Sequence, residues 1–259
     1  MKHVAHSGRE TAYRHTRPDG DGPTTLYVHG SGGTHQLWVH QYGPRGPAHP
    51  AVALDLSGHG DSTDIDTEPG PETLAAYAAD VAAVARATDA DVLVGNSLGG
   101  AVLFEVVLEG HYEPSGVVFA GTGAKLAVHE SVRTLLAEEF EQVIDMLHQA
   151  SWLFADPDPA LLEQSKATLL ATGQEVTRRD LLTCHTFDVR DRLGELEMPA
   201  LAVVGEDDSL TPPAYHDYLS THIPGCERAT IENAAHLAML EQPEAFNATL
   251  ETFVRRHRV

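Results

Sequence analysis

Short apolar runs recur along the chain, and each is closed by glycine-rich or polar residues. Their length and their content of valine, leucine and alanine are typical of buried strands. The stretch from Pro71 to Thr88 instead repeats its apolar residues with helical spacing, which places Leu74 and Tyr77 on one face. Short strands that alternate with helices predict a mostly parallel sheet flanked by helices and joined by right-handed crossovers. The strand-like runs are 24–28, 51–55, 91–94, 116–120, 200–204 and 228–231.

The strand pattern stops in the third quarter of the chain, where three helical stretches follow one another. A helical insertion between two strands of such a sheet predicts a cap over the edge where the loops carry the chemistry. We therefore expect a core formed by residues 1–121 and 197–259, with a helical cap inserted at 122–196. The three helical stretches are Glu130–Gln149, Pro159–Ala171 and Thr177–Thr186.

The segment Gly95-Asn96-Ser97-Leu98-Gly99 stands between the apolar run that ends at Val94 and a helical run that begins near Ala101. A serine flanked by glycines at a strand-to-helix turn is typical of a nucleophile elbow, in which a strained backbone lifts the hydroxyl above the sheet edge. The glycines are required because a side chain at either position would collide with the neighbouring strand or helix. This motif makes Ser97 the candidate nucleophile.

A carboxylate and an imidazole follow the serine, in the order that hydrolytic chemistry on this kind of sheet uses. The adjacent residues Asp207 and Asp208 lie in the loop directly after the predicted strand 200–204, and His236 lies in the loop after the next strand. Two consecutive loop residues cannot both point at one imidazole. One aspartate is therefore a candidate acid, and the other is expected to cap a turn or helix.

The chain order of serine, aspartate and histidine, together with the elbow, resembles the α/β-hydrolase superfamily from Thr24 to Phe253. This resemblance implies an α/β-hydrolase fold with a mostly parallel central sheet. The superfamily's acid stands in a Gly-x-x-Asp-x-x-x-Pro arrangement, which this chain matches at Asp208 rather than at Asp207. The superfamily usually has glycine before its histidine, and this chain has Ala235 there, which would strain the loop if the position needs a positive φ.

The resemblance also implies a role for each residue of the site. His236 would take the proton of Ser97 and later deliver it to the leaving group, while Asp208 would orient the imidazole and stabilise its charged form. Backbone N–H groups would hold the oxyanion of the tetrahedral intermediate. The donors that the resemblance implies are those of Leu98, after the nucleophile, and of Ser31, in the loop after the first buried strand.

Two other clusters of polar residues are expected to be structural. The pair His29-Gly30 resembles the His-Gly pair that shapes the loop of the second oxyanion donor in the superfamily. Ser57, His59 and Asp61 contain all three residue types of a triad, but residues so close in a loop rarely converge in that geometry. The turn that contains them resembles a structural turn of the superfamily.

Hydrolysis of carboxylic esters is the expected reaction, because dehalogenases and epoxide hydrolases with this fold use an aspartate where this chain has Ser97. An apolar pocket that suits an acyl or aryl group is expected beside the serine. Each candidate for its wall could equally be an ordinary core or cap residue. The candidates are Trp38, Trp152, Leu153, Phe154, Leu237 and Met239.

Other reactions of the superfamily stay open. Asn96 and Arg192 resemble residues of hydrolases that cleave C–C bonds in ring-cleavage products, although Leu237 replaces the tryptophan of that subfamily and the loop at 30–35 lacks its proline. Perhydrolase or haloperoxidase activity and lactone hydrolysis use the same triad. A ligand receptor built on the hydrolase fold, or an inactive homologue, is the non-enzymatic alternative. An inactive homologue would usually lose a triad member, and this chain keeps all three.

Acidic residues dominate the charge of the 259-residue chain. Aspartate and glutamate number 38 against 17 lysine and arginine residues, for a formal net charge of −21, and lysine occurs only at positions 2, 125 and 166. This composition resembles that of proteins from halophiles that accumulate salt, and a merely acidic mesophilic enzyme is the alternative. The charge disfavours nucleic acids and anionic membranes as partners. The expected partner is a small-molecule ester, and a homo-oligomer stays open.

We expect a cytoplasmic protein that uses no cofactor and no metal. No run of about 18 apolar residues predicts a transmembrane helix, and the N-terminal segment lacks the apolar centre of a secretory signal. Cys184 and Cys226 are expected to be reduced thiols. The 16 histidines show no zinc-binding spacing, and His216 and His222, on or near a late helix, are expected to be solvated.

Overall fold

An eight-stranded sheet forms the centre of the protein, whose computed structural model describes residues 1–257. The strands are β1 (Lys2–His6), β2 (Arg9–Thr16), β3 (Thr25–Val28), β4 (Ala51–Leu54), β5 (Val92–Asn96), β6 (Gly116–Ala120), β7 (Ala200–Gly205) and β8 (Glu227–Ile231). Their order across the sheet is β1-β2-β4-β3-β5-β6-β7-β8. The strands from β4 to β8 run parallel, whereas β1 and β2 pair antiparallel at one edge.

Helices cover both faces of this sheet, because alternate residues of each buried strand point to opposite sides. In β3, Leu26 packs into the core cluster that contains Phe104, while Tyr27 packs into a second cluster that contains Phe246. The helices are α1 (Val39–Tyr42), α2 (Pro71–Thr88), α3 (Leu98–Leu108), α4 (Glu130–Leu135), α5 (Phe140–Leu147), α6 (Pro159–Thr172), α7 (Gln174–Thr186), α8 (Pro213–His222), α9 (Ala238–Glu241) and α10 (Pro243–His257).

This architecture is the predicted α/β-hydrolase fold, with a mostly parallel sheet flanked by helices. Each of the six strand-like runs of the sequence overlaps a strand of the sheet, with bounds that differ by at most two residues. Helix α2 has the predicted bounds because a proline begins it and Asp89, in a left-handed conformation, follows its last residue. The apolar periodicity of the sequence therefore predicts the parallel part of the sheet well.

The hairpin formed by β1 and β2 is absent from the prediction. Its two-residue turn is Ser7-Gly8, and both residues have positive φ, as tight hairpin turns require. The strand β1 is mostly exposed at the edge of the sheet, so its residues show no buried apolar face. The only sequence signal for the hairpin is the turn itself, and the flanking His and Arg residues hide it.

Four helices, α4 to α7, lie between β6 and β7, where the sequence predicts three. The predicted helix 130–149 is wrong in its continuity, since the chain leaves the helix after Leu135 and begins α5 at Phe140. Val132, Leu136 and Val143 form a small core cluster of their own in this region. We call residues 122–196 the inserted segment, and its role as a separate cap stays a prediction.

Within residues 1–257, no helix combines the length and the apolar content that crossing a membrane requires. The same part of the chain holds no group of three or more His, Cys, Asp or Glu side chains that could bind a metal ion. Cys184, buried in α7, and Cys226, half-buried before β8, are both free thiols, as predicted.

Candidate active site

The turn between β5 and α3 has the geometry that the glycine-flanked serine predicts. Ser97 has φ 55° and ψ −117°, a conformation that residues with a side chain rarely adopt. A Cβ atom on Gly95 would lie 2.5 Å from the carbonyl oxygen of Gly99, and one on Gly99 would lie 2.5 Å from that of Val28. Both glycines are therefore required by close packing, the first against α3 and the second against β3.

His236 and Asp208 form a buried hydrogen-bonded pair. The Nδ1 atom of His236 lies 2.9 Å from the Oδ2 atom of Asp208. An ionised carboxylate can only accept hydrogen bonds, so in the neutral imidazole Nδ1 carries the proton and Nε2 keeps its lone pair. The pairing thus fixes the tautomer that a general base needs.

The loop after β7 supplies the carboxylate of Asp208 with further donors. The backbone N–H groups of Leu210 and Thr211 donate to its Oδ1 atom over 2.9 and 2.8 Å, and the hydroxyl of Thr211 donates to Oδ2 over 2.7 Å. Burial alone would raise the pKa of Asp208, but the nearby His236 and the hydrogen bonds from His236 and Thr211 hold it below its ordinary value. The neighbouring Asp207 is exposed to solvent. The geometry thus pairs Asp208, and not Asp207, with the imidazole.

Ser97 and His236 line one cavity of about 640 Å³. The loop after β3 forms one side of it, the inserted segment forms another through residues such as Leu126 and Leu181, and the loop after β7 completes it near Thr211. The cavity lies at the carboxyl ends of the parallel strands, where sheets of this kind bind ligands. Its size suits a small organic molecule.

Two backbone N–H groups near Ser97 are free to bind an anion. Leu98 begins α3, where the first N–H groups of a helix have no partner within the helix. The loop after β3 approaches the serine closely, since a Cβ atom on Gly30 would lie 3.1 Å from the Cβ of Ser97. Over residues 1–257, the backbone hydrogen bonds of turns and loops include none donated by Leu98 or Ser31. Leu98 and Ser31 are the two donors that the resemblance in the sequence implies.

The predicted wall residues divide into two groups. Trp152, Leu153 and Leu237 line the cavity. Trp38, Phe154 and Met239 belong instead to the core cluster on one face of the sheet, each at most 2% exposed. Their prediction as cavity walls is corrected, because large apolar side chains near a site pack into the core as readily as into a pocket. Trp38 packs against Tyr27, with ring centroids 5.0 Å apart.

The histidines of the two clusters that the sequence marks as structural, His29 and His59, are buried and form hydrogen bonds away from Ser97. His29 accepts a hydrogen bond from the backbone N–H of Leu56 at Nε2 and contacts the carbonyl of Gly30 at Nδ1. Burial lowers the pKa of His29 to about 4. The Nε2 atom of His59 lies 2.9 Å from Asp180 in α7, and its Nδ1 atom lies 3.1 Å from the backbone carbonyl of Ser57, so the imidazole does not pair with the hydroxyl of Ser57.

The prediction that His216 is solvated is wrong. His216 lies on the buried face of α8, and its Nε2 atom accepts a hydrogen bond from the backbone N–H of Thr122 over 3.2 Å. Burial lowers its pKa to about 4. A position on a helix does not by itself predict whether the side chain lies on the buried or on the exposed face. His222, six residues later, is exposed as predicted and stacks on Tyr218.

The structure also places Ala235, which departs from the superfamily pattern, and Arg192, which resembles a residue of one subfamily. Ala235 is not among the non-glycine residues of positive φ in the described chain, so the missing glycine before His236 causes no strain of that kind. Arg192, which resembles a residue of the C–C bond hydrolases, is partly exposed and pairs with Glu109 and Glu195. It does not line the cavity of Ser97.

The sequence analysis did not identify two residues that support the site. Thr211 holds the Asp208 carboxylate, as described above, and also lies 3.2 Å from Nδ1 of His236. Thr122 donates from its hydroxyl to the carbonyl oxygen of Ser97 over 2.8 Å and so secures the strained turn. Thr211 follows Asp208 by three positions, which is the spacing of a side chain that caps a turn. Nothing in the sequence marks Thr122.

The model of the alpha/beta hydrolase family matches residues 26–249, which is most of the chain. The chain belongs to the alpha/beta hydrolase family. The structure of a thermophilic esterase, 30% identical in sequence, superposes with a TM-score of 0.87 over 99% of this chain and 97% of that one. Membership of the family, with relatives of this kind, makes the protein a hydrolase enzyme.

Two further relatives are similar over most of their length. A pimeloyl-[acyl-carrier protein] methyl ester esterase of Neisseria meningitidis serogroup C is 28% identical, over 88% of this hydrolase and 91% of the relative. The structure of an N-acyl homoserine lactone degrading enzyme, 25% identical, covers 98% of this hydrolase and the whole of that chain, with a TM-score of 0.85.

Proposed function

We propose that this hydrolase cleaves carboxylic esters, with Ser97 as nucleophile, His236 as general base and Asp208 as the residue that orients it. One observation carries the proposal: a serine in a strained turn and an imidazole paired with a buried carboxylate line the same cavity. The esterase relatives in the family support ester chemistry. A mechanism of this kind proceeds on side chains and backbone N–H groups alone.

In the first half of the reaction, the Oγ atom of Ser97 attacks the carbonyl carbon of the ester while Nε2 of His236 takes the hydroxyl proton. The carbonyl oxygen becomes an oxyanion, which the N–H groups of Leu98 and Ser31 would bind. Collapse of the tetrahedral intermediate breaks the C–O bond to the alcohol. The imidazolium returns its proton to the leaving alkoxide, and the acyl group stays on the serine.

In the second half, water attacks the carbonyl carbon of the acyl-enzyme and gives a proton to His236. The second tetrahedral intermediate uses the same oxyanion donors, and its collapse releases the carboxylic acid. The proton on His236 returns to Ser97, so the enzyme ends in its starting state. Asp208 stabilises the imidazolium in both halves without being protonated itself.

The decisive variant is Ser97→Ala, which removes the Oγ atom and keeps the Cβ atom, so the packing of the turn is retained. We expect hydrolysis of 4-nitrophenyl esters to fall to the uncatalysed level, with unchanged circular dichroism and thermal unfolding of the folded domain. A fluorophosphonate should label the wild type at one site, and mass spectrometry should locate the label on Ser97. Ser220→Ala, on the outer part of α8, is the matched control and should leave both turnover and labelling unchanged. Turnover or labelling in Ser97→Ala would refute the proposal.

Lactone hydrolysis is a second candidate because a lactone is a cyclic ester that the same atoms can open. The specific observation in its favour is the structural similarity to an enzyme that degrades N-acyl homoserine lactones. A panel of open-chain esters and lactones of equal acyl length measures the preference directly. Cleavage of C–C bonds loses one of the two residues that favoured it, because Arg192 lies outside the cavity, whereas Asn96 lines it.

A further inference from the structure

The cavity that contains Ser97 is free of fixed charge. Thirty-four residues line it, and none of these described residues is a lysine, arginine, aspartate or glutamate, although 21% of the chain is charged. Gln36 and Gln164 line the cavity and are exposed to solvent, where a charged side chain would cost little. Even these positions at the opening are amides. The absence of charge therefore extends over the whole wall.

We propose that the acyl part of the substrate carries no charge, and that the enzyme discriminates against esters whose acyl chain ends in a carboxylate or an ammonium group. This inference rests on the proposed ester hydrolysis and adds the class of substrate. A charged group that enters the cavity would leave water without gaining a partner of opposite charge. Such a transfer is strongly unfavourable.

The buried carboxylate of Asp208 does not change this balance. Both oxygen atoms of Asp208 are already occupied, by backbone N–H groups, by the hydroxyl of Thr211 and by His236. A substrate cation would have to displace those donors in order to pair with it. A substrate anion would meet its negative charge at short range and without screening. Both signs of charge are thus disfavoured inside the cavity.

The acidic surface of the protein could also select against anions, and salt separates the two effects. A net charge of −21 repels anions and attracts cations at long range, and this field is screened within about 3 Å at 1 M salt. Exclusion by the cavity instead opposes both signs and persists in salt, because no mobile ions screen the interior. A comparison of anion and cation at two salt concentrations therefore distinguishes the cavity from the surface.

The test uses four 4-nitrophenyl esters of one six-carbon acyl chain, which ends in methyl, carboxamide, carboxylate or trimethylammonium. Each is assayed at pH 8, where free imidazole is mostly neutral, in low salt and in molar KCl. We expect kcat/KM for both charged esters to be at least about 100-fold below that of the methyl-ended ester at both salt concentrations. The carboxamide ester should lie between the methyl-ended and the charged esters.

Two results would overturn the inference. One is a carboxylate ester that is hydrolysed within about tenfold of the methyl-ended ester in molar KCl, and the other is a clear preference for the cationic ester. Neither result touches the proposed ester hydrolysis, which the methyl-ended ester tests alone through Ser97→Ala. Failure of wild-type enzyme to hydrolyse that neutral ester would instead refute the proposed function, and the inference with it.

A matched pair of variants tests whether the wall itself selects. Gln164→Arg puts a cation on the cavity opening, whereas Gln142→Arg makes the same change on an exposed part of α5 outside the cavity. We expect Gln164→Arg to raise the ratio of kcat/KM for the carboxylate ester to that for the methyl-ended ester at least about fivefold. Gln142→Arg should leave this ratio unchanged. An equal gain in both variants would assign the selectivity to the surface field and refute the inference.

Discussion

The carboxylate of Asp180 accepts a hydrogen bond from the backbone N–H of Gly32 over 3.2 Å, which joins α7 of the inserted segment to the loop that carries Ser31. Asp180 is fully buried and also accepts from the hydroxyl of Tyr77 over 2.6 Å and lies 2.9 Å from Nε2 of His59. Burial alone would raise its pKa, but the charge of His59 and these hydrogen bonds lower it. An ionised group in the core thus fixes one side of the cavity.

We predict that Asp180→Asn slows catalysis and weakens the fold. The amide keeps the size of the side chain, but its nitrogen cannot accept a hydrogen bond, so at least one donor among Gly32, Tyr77 and His59 loses its partner. We expect the free energy of unfolding to fall by about 3 kcal/mol, as for the loss of one buried charge from a pair. Since the loop carries a proposed oxyanion donor, kcat should fall about tenfold or more with little change in KM. Urea unfolding and steady-state kinetics on a neutral ester measure both effects.

Asp64→Asn is the control for this variant. Asp64 is half exposed and pairs with Arg179, the residue next to Asp180 in α7. Water partly screens the exposed carboxylate, and the asparagine oxygen can still accept the hydrogen bond of the buried Arg179, so the loss of stability should be smaller than for Asp180→Asn, with kcat unchanged. If the two substitutions reduce kcat equally, the effect comes from α7 in general and not from the link between Asp180 and Gly32.

The turn that holds Ser97 gives a second prediction. In Gly99→Ala the new Cβ atom would lie 2.5 Å from the carbonyl oxygen of Val28 and 2.7 Å from that of His29, both in rigid backbone. Helix α3 must therefore move away from β3, which displaces the serine. We expect a loss of at least about 3 kcal/mol of stability and of most activity. Gly194→Ala, where nothing lies within 4 Å of the new atom and φ is not positive, should be nearly neutral. Wild-type turnover in Gly99→Ala would contradict the packing argument.

The sequence is most informative where one residue type is the only one that fits. The glycines around Ser97 and the buried runs of the parallel strands leave few alternatives, so the elbow and the sheet follow from pattern alone. The spacing of Asp208 and Pro212 in the loop after β7 similarly restricts the choice of acid. These features are local, because a few neighbouring residues determine them.

The parts that the sequence does not predict depend on contacts between distant segments. Trp38 and Met239 are large and apolar, as the residues of a pocket wall often are, but packing against α10 and the sheet places them in the core. The burial of His216 depends on Thr122, which is far away in sequence. The link from Asp180 to Gly32 joins residues of the inserted segment and of the loop after β3. Neither the periodicity of the sequence nor a short motif predicts such pairings, because the tertiary structure determines which distant residues meet.

Buried histidines make the fold sensitive to mild acid. Burial lowers the pKa of His29 and of His216 to about 4, whereas the ordinary value is 6.5. Between these values the unfolded chain binds protons that the folded chain does not, so the free energy of unfolding decreases as pH falls from 6.5 towards 4. Burial alone would also lower the pKa of His59, but Asp180 raises it, so the stabilisation from His59 is already complete below pH 6.5 and does not vary in this window.

We therefore predict that His216→Gln reduces the dependence of stability on pH. The free energy of unfolding falls when the pH is lowered from about 7.5 to about 5.5. This decrease should be smaller in His216→Gln than in the wild type by about 1.3 kcal/mol. Glutamine can still accept the hydrogen bond from Thr122 and carries no titrating group. His222→Gln, on the exposed side of the same helix, should keep the wild-type dependence. Urea unfolding at the two pH values decides, and equal slopes in all three proteins would contradict the assignment.

Salt should stabilise the protein, because its negative charges repel one another in the folded state. The chain carries 38 acidic residues against 17 lysine and arginine residues, and unfolding moves these charges apart. Raising KCl from about 0.05 M to about 1 M shortens the Debye length from roughly 14 Å to 3 Å and removes most of this repulsion. We expect Tm to rise by about 5 °C or more, with most of the gain below about 0.5 M, where screening changes fastest. Sucrose at matched osmolality tests for a general solute effect, and should produce a smaller rise without that early saturation. A Tm that does not change with KCl would show that the acidic surface exerts no net repulsion.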